Sequence, residues 1–173
     1  LMPVTVVLVV LVLWAGFRRP LGVILPVISV ILASVWTVGS MGIAGKDFSL
    51  VSNLMPVLLI AVGSAYGIHV INRFYEVGEV DSTMSHISLP VMLAAFTTMA
   101  GFLSFLSSGL VPVREFGVFS SIGVIVALIL ALTLIPFVLY YTHRNKTTEA
   151  ITGFSSGRWI RPLSRVTIIF RKY

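Results

Sequence analysis

The chain of 173 residues contains no cysteine, only six Asp and Glu, and 10% charged residues in all. The missing cysteines exclude disulfides and thiolate metal sites while leaving the compartment open. The scarcity of charge excludes an ordinary soluble surface, because globular domains carry about 25% charged residues. Apolar types make up 57% of the chain, and mean hydropathy is +1.04. No carboxylate falls inside an apolar run. H-E-x-x-H, G-x-S-x-G and paired intramembrane aspartates are also absent, and the three histidines, His69, His86 and His143, fall on separate segments. No enzyme and no cofactor are therefore expected. The net charge of +6 comes from basic residues between and after the apolar runs, with no aromatic-interleaved patch. Membrane topology accounts for that placement, and nucleic acid is not an expected partner.

What the chain does have is long apolar runs. A membrane-spanning helix takes about 20 mostly apolar residues, and five such runs follow one another: about 1–17, 21–43, 54–71, 87–110 and 116–141. Arg18, Arg19 and Pro20 separate the first two closely enough for a helical hairpin. The polar segment YEVGEVDSTMSH leads into the fourth span, and SSGLVPVREFG, rich in helix-breaking residues, leads out of it. The chain opens inside a hydrophobic run with neither a basic leader nor an A-x-A-like cleavage site. It reads as part of a longer protein, not as a signal peptide. These features predict an all-α membrane protein: a five-helix transmembrane domain over 1–141 and a basic cytoplasmic connector over 142–173 whose apolar spacing fits an amphipathic surface helix.

Alternating the loops puts Arg18, Arg19, Arg73, Arg144, Lys146, Arg158, Arg161, Arg165, Arg171 and Lys172 on one side and Lys46 and Arg114 on the other. The ten-to-two imbalance predicts that the first side is cytoplasmic. Helices are expected over a barrel, because barrel strands are about 10 residues long and alternate apolar with polar positions. Gly63 with Gly67, and Gly123 with Ala127 and Ala131, place small residues four apart, where neighbouring backbones approach closely.

The third span carries the densest polar cluster, AVGSAYGIHVINRF (61–74). Gly63, Tyr66, Gly67 and Val70 share one helix face, with His69 offset toward Ala65 and Arg73. On spacing alone, helix packing with one buried tyrosine is the simpler reading and a functional site the sharper one. A histidine near the interface serves equally as a proton carrier or as a group bonded to a backbone carbonyl. Arg73 is expected to reach the headgroups. Thr97, Thr98 and Ser104, with Ser107 and Ser108, form either a polar seam or hydroxyls bonded back to their own helix.

Taken together, AVGSAYGIHVINRFYE, SLPVMLAAFTTMAGFLSFLSS and VPVREFGVFSSIGVIVALILALTLIPFVL resemble the resistance-nodulation-cell division (RND) superfamily. The resemblance is to its predicted exporters of the MMPL type, related to the mycobacterial membrane large proteins and the hopanoid transporters. It implies that the five spans correspond to helices two to six of a first transmembrane half, a sterol-sensing-like domain. Helix one, a large extracytoplasmic domain and a second transmembrane half would complete the protein. The implied setting is a prokaryotic inner or plasma membrane, with membrane lipids, the second half and a hydrophobic substrate as partners.

In many such relatives the helix-four motif reads Gly-x-Asp-Tyr-x-Ile-His, which aligns with Gly63 to His69 and places its ion-carrying aspartate at Ala65. The resemblance therefore implies export of lipids or other hydrophobic molecules coupled to a proton or cation gradient, with the acidic relay in the second half. In that scheme Gly63 and Gly67 pack against the second half, Tyr66 bonds to its relay and His69 orients or tunes the exit. The alternative is a lipid-binding or scaffold module without coupled transport, for which Ala65 is equally suitable.

Overall fold

A computed structural model of the chain describes residues 2–17 and 20–143. The expected amphipathic connector lies, from residue 144 onward, outside the described residues. Among the described residues there are five α-helices and no strand: α1 (Met2–Phe17), α2 (Pro20–Ile43), α3 (Met55–Val77), α4 (Val80–Leu103) and α5 (Val111–His143). Four of them, α2 to α5, are long and apolar enough to cross a membrane, three with hydropathy of 2.0 or more and α4 at 1.8. The protein is a multi-pass, all-α membrane protein. α1, of which 16 residues are described, packs on α2 and α3.

The helices run past the apolar stretches that mark them in sequence. α3 continues through Tyr75 to Val77, and α4 begins at Val80, so most of the polar segment expected as a loop is helical. Hydropathy reports the lipid boundary, whereas local chemistry ends a helix. Here the break is Gly78 in the left-handed region (φ 79°), where a side chain would be strained; its N–H donates to the Phe74 carbonyl at 2.8 Å. Thr83 Oγ1 then donates to the Glu79 carbonyl at 2.6 Å as α4 starts. At the far end α4 tightens into a 3-10 turn, Ser104–Ser107. α5 starts at Val111, so VPVREFG is the first part of a helix, not a loop. Pro112 sits in the first turn, where its missing N–H has no intrahelical partner to lose.

α2, α3 and α5 form the centre, where the small residues meet. A Cβ on Gly63 would lie 2.7 Å from Val30 Cγ1 and 3.3 Å from Ala127 Cβ. One on Gly67 would lie 2.9 Å from Pro26 Cβ and 3.2 Å from Ile135 Cδ1. On α5, Gly123 takes Leu59 and Thr37 at similarly short range, and Ala127 and Ala131 are buried. These pairs fix the register: α3 runs parallel to α5 and antiparallel to α2. A glycine inside a helix costs about 1 kcal/mol against alanine. In lipid, close backbone approach offsets that cost, because no solvent-driven hydrophobic term holds helices together there.

One ion pair ties the Lys46 end together. Lys46 Nζ, in the connection between α2 and α3, lies 3.1 Å from Glu115 Oε1 in the first turns of α5. Lys46 and Arg114 are thus at the same end of the bundle, as loop alternation requires. At the opposite end Arg73 pairs with Glu76 at 3.0 Å.

Candidate functional site

The motif of α3 divides into an inner and an outer face. Gly63, Ser64, Tyr66, Gly67 and Val70 are buried, while Ala65 is half-buried and Ala61, His69 and Asn72 are exposed. The inner face meets α2 and α5 of this same chain. The expected role of Gly63 and Gly67 as packing surface for a second half is therefore corrected: Val30, Pro26, Ala127 and Ile135 already fill the space against them. On the outer strip Ala61, His69 and Asn72 are exposed and Ala65 between them is partly covered. His69 makes no hydrogen bond to a described residue, so the carbonyl partner weighed for it is not formed among those residues.

Tyr66 also turns inward. Only 3% exposed, it packs in one cluster with Val91 and Ala95 of α4. This places it away from the outer strip and corrects its expected approach to a relay in another half. Thr98, one turn beyond Ala95 on the same face, is the side chain beside its hydroxyl, yet the geometry between them falls short of a hydrogen bond and the Tyr66 hydroxyl has no other partner among the described residues. Thr98 Oγ1 donates to the Ala94 carbonyl at 2.8 Å, which leaves its lone pairs free to accept from Tyr66.

The structure does not assemble the other seam residues with this pair. Thr97 donates to the Ala94 carbonyl at 2.9 Å, and Ser104 to the Gly101 carbonyl at 2.6 Å. Both are exposed. Each hydroxyl satisfies itself on its own helix, as hydroxyls in apolar surroundings do.

A second hydroxyl series, on α2, escaped the sequence reading. Ser29, Ser34 and Thr37 are buried and donate to the carbonyls of Leu25, Val30 and Ala33 at 2.9, 2.8 and 2.7 Å. The signal was available: Ser29, Ala33 and Thr37 stand four apart, the same small-residue period as on α5. Ser120, fully buried on α5, has no hydrogen-bond partner for its hydroxyl among the described residues. Among the described residues no group of three or more His, Asp or Glu gathers in metal-binding range.

The motifs of α4 and α5 meet at the Lys46 end. A Cβ on Gly117 would fall 2.5 Å from the Phe102 carbonyl oxygen and 2.9 Å from Phe105 Cβ, so only glycine lets α5 cross there. Phe116 stands edge-on to Phe102 at 5.9 Å between ring centroids, and Ser121 Oγ donates to the Gly117 carbonyl at 2.7 Å. A family model described as the MMPL family matches residues 1–168. The chain belongs to the MMPL family.

Curated relatives agree with the match. This MMPL chain is 26% identical over 147 residues to a membrane protein of Methanocaldococcus jannaschii, covering 80% of the chain and 37% of the relative. It is 27% identical over 144 residues to a hopanoid transporter of Rhodopseudomonas palustris, covering 78% of the chain and 16% of that protein. The chain thus spans well under half the length of both relatives. No solved structure gives a significant match. Within this MMPL chain the candidate site reduces to two places: the outer strip with half-buried Ala65 and exposed His69, and the buried Tyr66 beside Thr98.

Proposed function

We propose that the chain is the transmembrane half of an RND-type secondary transporter in a cell membrane, moving lipids or other hydrophobic molecules. Coupling is to a proton or cation gradient, and the ion-carrying carboxylate comes from a second transmembrane half. The observation that carries this reading is the MMPL-family match over residues 1–168, with a hopanoid transporter among the relatives. The helix-four motif keeps its glycines, Tyr66 and His69 but has Ala65 and no acid, which bears only on where a coupling carboxylate would lie. All described carboxylates, Asp47, Glu76, Glu79, Asp81 and Glu115, lie at helix ends or in connections. An alanine passes no ion at neutral pH, so the partner must come from the helix that covers this strip. The ten-to-two excess of basic residues supports placing the Arg73 end in the cytoplasm, and the Lys46–Glu115 pair holds Lys46 and the start of α5 together at the other end. The hopanoid transporter among the relatives supports a lipid-like cargo.

The test uses full-length protein in sealed vesicles loaded with a fluorescent lipid. Cargo movement is expected to stop when proton and sodium gradients are both collapsed. Movement that continues unchanged overturns gradient coupling. The absence of any carboxylate in the second-half helix that matches 61–74 would favour the lipid-binding or scaffold reading instead.

A further inference from the structure

The Lys46 end of the bundle holds a groove that the reading above does not use. It is an open surface groove of about 350 Å³, lined by Lys46, Arg114 and Glu115 together with Leu106, Val111, Val118 and Phe119. That size takes a headgroup and the first carbons of a chain, not a whole lipid. Three basic residues lie among the described residues, and two are neutralised: Lys46 by Glu115 at 3.1 Å and Arg73 by Glu76 at 3.0 Å. Arg114 is exposed and has no ion pair with a described residue. The groove therefore carries one uncompensated positive charge. Asp47, the adjoining acid, is exposed and does not line the groove.

The wall beside that charge is apolar and open. Leu106 is 49% exposed and Val111 51%, and Phe119 closes the floor. A guanidinium takes a phosphate or carboxylate through paired N–H donors in a way that an ammonium does not. A cation next to exposed aliphatic surface matches the two ends of one molecule, an anionic amphiphile. A free anion would use only half of the site. At a membrane interface the partly excluded water also strengthens the ionic contact relative to bulk.

We propose that this groove binds an anionic amphiphile of the outer leaflet, its headgroup on Arg114 and the start of its chain on Leu106, Val111 and Val118. The site's outward placement and its use as a cargo site rest on the transport reading; the binding itself does not need a gradient.

The test is native mass spectrometry of full-length protein in detergent, titrated with dioleoyl phosphatidylglycerol or dioleoyl phosphatidylcholine. Wild type is expected to bind the anionic lipid about fivefold more tightly than the zwitterionic one, a modest factor because the contact is part-exposed. Arg114→Gln should abolish that preference and Arg114→Lys should keep part of it; neither change breaks an ion pair with a described residue. Equal preference in wild type and Arg114→Gln overturns the proposal. So does competition by millimolar inorganic phosphate alone, which would mark a simple anion site. A fall in melting temperature for Arg114→Gln with lipid preference intact also overturns it, since the arginine would then be paired within the protein. Gradient-dependent transport that survives any of these results leaves the transport reading standing, and lipid preference that survives gradient-insensitive transport leaves the groove standing.

Discussion

α3 and α4 are the two arms of one hairpin, 23 and 24 residues long, and both are rich in glycine, alanine and hydroxyl side chains. Of the membrane-crossing stretch, 56% is buried in α3 and 11% in α4. Similar composition thus serves opposite ends. On α3 the small residues are voids that neighbouring helices fill; on α4 Thr97, Gly101 and Ser104 sit on an outward face with their hydroxyls bonded to their own backbone. A small residue in a membrane helix is informative only once its direction is known, and direction follows from which partners the rest of the chain supplies.

The largest effect that tests this contrast is Gly67→Leu. A Cβ alone would come within 2.9 Å of Pro26, whose ring is held inside α2 and has nowhere to go. Overpacking a tight core costs about 1–3 kcal/mol and more where backbone blocks relief. We expect a fall of about 3 kcal/mol in unfolding free energy, or loss of folded protein from the membrane. Thermal unfolding of purified full-length protein in detergent checks this. An unchanged midpoint would mean that α3 does not hold its place through this face.

Tyr66→Phe sits where the two arms touch, and its effect is smaller. Among the described residues the buried hydroxyl has no hydrogen-bond partner in range, and the nearest candidate is the Thr98 hydroxyl, which donates to the Ala94 carbonyl and keeps lone pairs able to accept. Removing an unsatisfied buried group relieves part of its desolvation cost, about 1 kcal/mol at most when the unfolded reference is also in lipid. Stability should stay level or rise by that amount, and gradient-driven cargo movement should persist. Loss of movement with stability intact would show that the hydroxyl acts in transport through a partner outside this half.

The same contrast explains what was legible in the sequence. Hydropathy runs set the helix class and order, because spanning lipid forces every backbone polar group into helical bonds. Helix ends were misplaced because hydropathy is blind to Gly78, whose left-handed turn joins α3 to α4 within two residues. The ladders of Gly63, Gly67, Gly123, Ala127 and Ala131 were legible as packing surfaces, but not whom they face. Helical spacing defines a face, and only the register of α2 against α3 shows Val30 and Pro26 filling it. Tyr66 was misdirected for the same reason. Ala65, the position that the resemblance assigns to an acid, is half-buried on the strip with His69.

The smallest expected effect is the sharpest test of the comparison. Gly101→Leu makes on α4 the change that Gly67→Leu makes on α3, in a helix of the same hairpin and at a position also drawn from a family motif. No atom outside its local backbone lies within 4 Å of a Cβ built on Gly101. The added side chain meets lipid, and the helix exchanges a poor helix former for a good one. We expect the unfolding midpoint of full-length protein to change by no more than about 0.5 kcal/mol equivalent, as for substitutions away from packed features. If Gly101→Leu instead destabilises the protein as much as Gly67→Leu, the outward face of α4 is covered in the full-length protein. The second half would then embrace the hairpin on both arms, with the strip around Ala65 forming only one edge of the contact.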